Sequence, residues 1–537
     1  MRSGLGGTGG NIPSFCKQLY TRDILCGTET FGNMRAITFA PAAGARRIGA
    51  LGSLLLALAA CAPVGPNYKP PDAPRAPRYT EAPQPAQTAS ADSAYGRAQR
   101  FAPSGEIPSD WWDLFHSEAL TKLVRTALAD NPTLDAARAA LTQAQENLNA
   151  QYSVLYPGVD AAAGARRQRS TGASSGLPNA PANLYTLYNA SVSVSYALDL
   201  AGGARRELEA LLAQIDYQRL QLEAAYLTLS GNVVTAAVQE ASLRAQIRAT
   251  HEVLRAQEAI LALVQKQFAL GAVARAEVLA QRAQLAQARA TLPPLEKALA
   301  QTRNALAALV GRFPADAGLP ESELAQMQLP HELPLSLPSE LARQRPDIRA
   351  AEALLHRASA EVGVAEAAKY PQLTLSATYG TAATRTADLF GGATTAWNLG
   401  AALLQPVFHA GKLEAQKRAA VAAYDQAYAQ YRQTVLAALR SVADVLDALD
   451  GDARTLKAQA EAEATARASL ALARAQFELG SVSYLVLLNA ERQARQAGIG
   501  LAQAQAARFA DTAALYQALG GGWWQHGANV EKGSVQR

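Results

Sequence analysis

The strongest constraint in this sequence is a pair of long stretches that open on glycine and contain no proline. One runs from Gly203 to Leu270, the other from Gly411 to Leu479. As α-helix at about 1.5 Å per residue, each would reach roughly 100 Å. Rods of that length cannot be buried in one globule. They are expected to pack side by side, as coiled coil or as the staves of a tube. Each should stop at a glycine, Gly271 or Gly480, and resume after a short turn (GAVARAEVL, GSVSYLVLL) to end at Gly311 or Gly520. Composition agrees: 49% of residues are hydrophobic but only 6% aromatic, because alanine inflates the count. Alanine favours helix and buries little area, which suits long, closely packed helices.

The two stretches belong to an internal duplication. NPTLDAARAALTQA from Asn131 matches RPDIRAAEALLHRA from Arg345, pairing Pro132 with Pro346, Leu134 with Ile348 and Leu141 with Leu355. Tyr156-Pro157 matches Tyr370-Pro371, and Gln267 to Gly271 matches Gln476 to Gly480. A unit this long is a domain-sized copy, not a short solenoid repeat. Each copy should read helix, strand pair, long helix, turn, helix. The first helix carries Leu120, Leu123, Val124, Ala127 and Leu128 at three-four spacing and should end near the Tyr-Pro of its copy. Asn183 to Leu200 then alternates, with Leu184, Tyr188, Ala190, Val192, Val194, Tyr196, Leu198 and Leu200 on one face. Gln372 to Tyr379 alternates likewise, and Val159 to Arg166 and Trp397 to Leu403 do so more weakly. Two readings fit a period of two: a soluble antiparallel sheet with one wet face, or a barrel with lipid outside and water inside.

Near the N-terminus, Arg46-Arg47 precede the apolar run Ile48 to Ala60 and the tetrapeptide Leu58-Ala59-Ala60-Cys61. A basic segment, an apolar run and small residues before a cut site describe a secretory signal. The cysteine in that place resembles the bacterial lipoprotein cleavage site, where the thiol is acylated; the alternative is an ordinary signal with a chance cysteine. The expected organisation is as follows. Residues 1–33 lie upstream of a true start at Met34, 34–60 are the signal, and 61–110 are a lipidated, proline-rich tether with order beginning near Ser109. Residues 111–311 are the first repeat, 312–338 an equatorial linker, 339–520 the second repeat and 521–537 a tail.

Several function classes are excluded. Net charge is only +5, and the cations are spread among the acids with no basic stripe for nucleic acid. Outside the leader no run of about 18 apolar residues exists for a spanning helix. The six histidines (His116, His251, His331, His356, His409 and His526) are scattered, without metal-ligand spacing. No nucleophile elbow, phosphate loop or dinucleotide fingerprint is present, and pairs such as Glu207/Glu209 read as solvated helix face. The sequence therefore indicates no enzyme, metal or cofactor beyond the covalent lipid on Cys61.

The motifs in order are CAPVGPNYKPP, WWDLF at Trp111, ALADNPTLDAARA, RQRPDIRAAEALL, YPQLTLSA, QPVFHAGK and the paired FALGAV and FELGSV turns. With these the chain resembles the outer-membrane factors of bacterial tripartite efflux systems, the TolC and OprM type, in the lipoprotein branch labelled NodT, over residues 61–520. The resemblance implies an α+β membrane protein with an internal two-fold repeat. A homotrimer would close a 12-stranded outer-membrane β-barrel, four strands per protomer, continued by a periplasmic α-helical barrel of coiled-coil hairpins. It further implies an exit duct working with a periplasmic adaptor (membrane fusion protein) and an inner-membrane transporter of the RND type. The alternative is a periplasmic adaptor or scaffold, which would also carry paired long helices. By the same resemblance Ala62 after Cys61 favours the outer membrane. The turns Gly271, Val273, Gly480, Val482, Ser483 and Tyr484 would meet the adaptor. Where the family rings its inner aperture with carboxylates, this chain has Val486 and Asn489, and the first copy carries Glu277 opposite Val486. Glu277 is either a dipole-complementing acid in the first turn of a helix or a gate residue, and Arg275 either a solvated turn residue or its partner.

Overall fold

The computed structural model describes residues 62–103, 106–171, 181–316 and 318–525. Cys61 and the leader lie outside the described residues. Two helices of 67 residues dominate: α3 (Gly203–Ala269) and α8 (Lys412–Glu478). Each follows a glycine in the left-handed region, Gly202 or Gly411, which stops the preceding strand connection from entering helix early.

The segment expected as one helix before each Tyr-Pro is two. The first copy has α1 (Glu118–Asp130) and α2 (Pro132–Tyr152); the second has α6 (Pro338–Gln344) and α7 (Pro346–Ala367). Pro132 and Pro346 each occupy the first helical position, where a missing N–H costs nothing, but each forces the residue before it into extended geometry. Asn131 makes the corner: its Oδ1 accepts from Thr133 N–H at 2.8 Å and its Nδ2 donates to the Leu309 carbonyl at 2.8 Å. The return segments differ between copies. The first is divided into α4 (Arg275–Ala290) and α5 (Leu292–Leu309), while the second is one helix, α9 (Tyr484–Ala518).

Four antiparallel strands, β2 (Gly158–Ser170), β3 (Asn183–Leu198), β5 (Gln372–Ala383) and β6 (Thr395–Leu404), form one sheet in the order β2-β3-β5-β6. The central pair joins the two halves of the chain, with Val192 opposite Tyr379 and Tyr196 opposite Leu375. Among the described residues the outer edges of β2 and β6 have no partner strand.

The main core lies at mid-height, where a short parallel pair, β1 (Arg100–Pro103) and β4 (Glu332–Leu335), covers the helices. Trp111, Phe115, Leu123 and Val124 pack there with Val233 and Ala237 of α3, Val442 and Leu446 of α8, and Phe509 and Tyr516 of α9. Order does not begin at Ser109 as expected. The proline-rich segment has no helix, but it is bound along the molecule from Val64, whose N–H reaches the Ala201 carbonyl at 3.0 Å, to Thr88, whose N–H reaches Gln99 at 2.9 Å.

Candidate functional site

The far end of the helical hairpins is built from two identical turns. Gly271 and Gly480 lie at φ 77° and 71°, and in both turns the glycine N–H and the next N–H cap the last helical carbonyls. A second apolar cluster ties the turns together: Val264 of α3, Val278 of α4, Ala473 and Phe477 of α8, and Tyr484, Leu487 and Ala490 of α9. Val273 and Val482 pack against it, whereas Gly271, Gly480 and Ser483 are exposed. Tyr484 is buried, and its hydroxyl finds no hydrogen-bond partner among the described residues. Burial, then the charges of Glu491 and Glu277, push that phenol up.

Val486 and Asn489 are both exposed, about 60° apart around α9 at roughly 100° per residue, on the side away from Tyr484. Glu277 is half-buried in the first turn of α4, and its charge helps raise the Tyr484 phenol. Arg275 is exposed at the start of the same helix.

At the opposite end, the sheet register lines up one apolar face across all four strands. Its rows read Leu198–Leu373–Leu403, Tyr196–Leu375–Ala401, Val159–Val194–Ala377–Leu399, Ala161–Val192–Tyr379–Trp397 and Ala163–Ala190–Thr381–Thr395. Ala165–Tyr188–Ala383 follows, and then charge begins at Arg167 and Arg169. From Leu198 to Tyr188 is about 34 Å along a strand at about 3.4 Å per residue. At the usual 35–45° tilt that gives an apolar band of roughly 25 Å, the height a bilayer-facing barrel needs. The other face carries Ser191, Ser193, Ser376, Thr378 and Asn398. A soluble sheet would cover its apolar face with a second layer. Here Trp397 and Leu399 are 72% and 73% exposed, and β6 is exposed along its whole length. The soluble reading fails on that point.

Where β3 gives way to α3, a polar cluster holds the N-terminal segment. Arg206, only 4% exposed, donates to the carbonyl of Val64 at 3.1 Å, to Asn67 Oδ1 at 2.8 Å and to Glu209 Oε2 at 2.7 Å. His356 of α7 lies 2.9 Å from the other Glu209 oxygen and stacks on Tyr68 at 4.3 Å. Burial alone would raise the Glu209 carboxyl, but hydrogen bonds from Arg206 and His356 hold it below the usual range. Glu209 is thus no solvated acid, contrary to expectation; Glu207 is the exposed one.

A second buried arginine, Arg508 of α9, holds the same segment at mid-height through Tyr95 O at 2.6 Å, Arg97 O at 3.3 Å and Gln99 Oε1 at 2.8 Å. Nearby, Asp452 of α8 lies beside Asp511 of α9, and its carboxyl is pushed up to about 7 by burial and by Asp511. Nothing in the sequence marked these arginines or acids, since most of their partners lie far along the chain, 139 residues for Arg206 and Asn67 and 413 for Arg508 and Tyr95. Among the described residues no cluster of histidine, cysteine or acids is arranged to hold a metal, and no helix is long and apolar enough to cross a membrane.

The family described as Outer membrane efflux protein matches residues 123–312 and 337–521. The pyoverdine export outer membrane protein OpmQ of Pseudomonas aeruginosa is 34% identical over 420 residues, covering 77% of this chain and 87% of the relative. The toluene efflux pump outer membrane protein TtgC of Pseudomonas putida is 30% identical over 474 residues, covering 88% and 95%. Among solved structures, the outer-membrane channel OprN superposes with a TM-score of 0.76 at 28% identity, over 86% of this chain and 99% of its own.

Proposed function

Because the chain belongs to the outer membrane efflux protein family, we propose that three copies close one pore that continues as a helical tube through the periplasm. The protein is an outer-membrane exit channel of an efflux pump, and the adaptor alternative has no support among its relatives. The observation that carries the trimer is the four-stranded sheet with two open edges and an uncovered apolar face. Known barrels need at least about 8 strands, so four cannot close alone, and exposed edges call for pairing with further chains. Three sheets give twelve strands, each edge satisfied by a neighbour.

The remaining parts follow that geometry. Helices of roughly 100 Å extend far past a bilayer core of about 30 Å, so they belong in an aqueous compartment. The repeated halves alternate around the tube wall. Cys61 carries the lipid: the clamp on Val64 and Asn67 supports this, because it leaves Cys61 a few residues from the foot of the barrel, where an acyl chain meets the inner leaflet. The tip turns, from Gly271 to Val273 and from Gly480 to Ser483, receive the periplasmic adaptor of an RND-type inner-membrane transporter, while Tyr484, expected to join them, is buried in the tip cluster. Val486 side chains from three copies narrow the inner end, flanked by Asn489, with Glu277 and Arg275 beside them.

The test is direct. In mild detergent the protein should sediment at three times its mature mass, and it should conduct ions in planar bilayers. Mass spectrometry should find acyl chains on Cys61. A monodisperse monomer without conductance would overturn the reading.

A further inference from the structure

The apolar face of the sheet finishes differently at its two ends. The end at Leu198, Leu373 and Leu403 joins the helices, and the cations near it are paired. Arg205 meets Asp199 at 3.2 Å, and Lys369 meets Glu366 at 2.9 Å and Glu414 at 3.3 Å. The far end, where β2 runs out before β3, carries Arg167 and Arg169 on the apolar face, opposite Thr186 and Leu184. Both are exposed, and neither side chain has an ion-pair or hydrogen-bond partner among the described residues.

No local acid is free to pair them. The apolar face of the four strands carries no acid, and residues 171–182 between β2 and β3 contain none. Asp388, the acid of the β5–β6 connection, is held by Arg385 at 3.1 Å. Height then decides what the two arginines meet. Arg167 lies one pair beyond the row Ala165–Tyr188–Ala383 that ends the apolar band. Two residues are about 7 Å along a strand, or roughly 5 Å in height at the usual tilt. The polar layer on each side of a bilayer core has about that depth, so these guanidinium groups stand among lipid head groups. A guanidinium fork can give two parallel N–H bonds to phosphate oxygens.

Below the arginines the same face is hollow. A groove of about 530 Å³ passes over Ala161, Ala163 and Ala190 and is flanked by Val192, Tyr379 and Phe390. Its floor is methyl groups, while the flanking Tyr379 and Phe390 rings are 62% and 83% exposed. Ala163 is about 14 Å along β2 from Arg167. A phosphate at the arginines and an acyl chain over the alanines are therefore the two ends of one lipid molecule.

We propose that this face holds a phosphorylated glycolipid of the outer leaflet, its phosphate between Arg167 and Arg169 and an acyl chain in the alanine groove. The proposal rests on the channel reading, which turns this end of the sheet outward, away from the helices. That direction selects the occupant. The outward leaflet of an outer membrane is built from lipid A, whereas the inner leaflet of glycerophospholipid meets the end whose cations are already paired. Because β2 is an edge strand, each lipid lies at a seam between copies, and one binds per protomer.

Native mass spectrometry of the detergent-purified trimer, titrated with bisphosphorylated lipid A, tests the site. The wild type should take up as many as three copies. Arg167→Gln with Arg169→Gln should weaken binding roughly 30-fold, at about fivefold for each cation at a lipid surface. Ala163→Leu, which fills the groove without changing charge, should weaken it several-fold. Arg166→Gln, one residue away on the polar face, should bind as the wild type does. Lipid A stripped of its phosphates should bind wild type and double arginine variant alike. Equal affinity of intact lipid A for these two proteins would overturn the phosphate site, and unchanged binding by Ala163→Leu would overturn the groove. Phosphatidylglycerol bound as tightly as lipid A would overturn the choice of a glycolipid. A wild-type trimer that takes up no lipid A would overturn the proposal alone, whereas a wild-type monomer without lipid would overturn the channel reading with it.

Discussion

Arg206 and Asn67 meet at 2.8 Å although 139 residues separate them, and the bond joins the start of the first long helix to the segment that follows Cys61. The same guanidinium holds Val64 and Glu209, so its removal leaves several acceptors unpaired and one partly buried carboxylate without its cation. Breaking a buried pair by removing one partner costs on the order of 3 kcal/mol. Arg206→Met should therefore lower the thermal midpoint and open the segment to trypsin at Arg75 and Arg78. Arg206→Lys should fall between, since an ammonium cannot reproduce the forked geometry. Unchanged trypsin resistance in Arg206→Met would show that the segment is held by other contacts.

The alternation of the strands makes neighbouring residues of β6 opposite in kind. Leu399 stands in the middle row of the apolar face, beside Ala377, while Asn398 faces Thr378 on the polar side. An arginine at the bilayer midplane costs about 2–4 kcal/mol, whereas a lumen position tolerates charge. Leu399→Arg should weaken folding into bilayers by that amount, measured by urea titration. Asn398→Arg should leave stability nearly unchanged and shift conductance toward anions. Equal costs at the two positions would contradict the assigned faces.

These faces were legible in the sequence because a period of two is a local signal, and the long helices because an alanine-rich run without proline allows little else. The corner at Asn131 was legible in principle, since Pro132 is present in the sequence, but the helical periodicity on both sides obscured it. The two clamps were not legible. Arg206 and Arg508 look like other helix-surface arginines until the chain folds back and brings carbonyls of Val64, Tyr95 and Arg97 against them. The tip is intermediate: its glycine turns follow from the sequence, whereas the burial of Tyr484 depends on how four helices pack.

The Asp452–Asp511 pair makes stability depend on pH. The Asp452 carboxyl ordinarily titrates near 3.8 and in the folded protein at about 7, because burial and Asp511 both favour its protonated form. A raised folded-state value means that the folded chain binds a proton the unfolded chain releases. The contribution is fully present below pH 4 and is lost as pH rises through about 7. The thermal midpoint should fall between pH 5 and pH 8, and Asp452→Asn should flatten that fall and raise the midpoint at pH 8. A variant that keeps the wild-type slope would remove this pair as its cause.

The narrowest point of the tube should be apolar. Val486 projects from the exposed side of α9, one turn before Asn489, on the side away from Tyr484, which anchors the helix to the tip cluster with Leu487. Three such valines around a common axis would hold water out of a tight aperture without any charge, since a narrow apolar ring empties when the cost of hydrating it exceeds that of leaving it dry. Val486→Ser gives the ring hydroxyls that water can bond and removes one methyl per chain, so single-channel conductance should rise. Leu487→Ser, one residue on but buried, should instead loosen the tip cluster and destabilise the fold by about 2–4 kcal/mol, read as a lower thermal midpoint. Glu277→Gln should change cation preference only if that half-buried carboxylate reaches the aperture in the trimer. Unchanged conductance in Val486→Ser would move the constriction away from the valine ring.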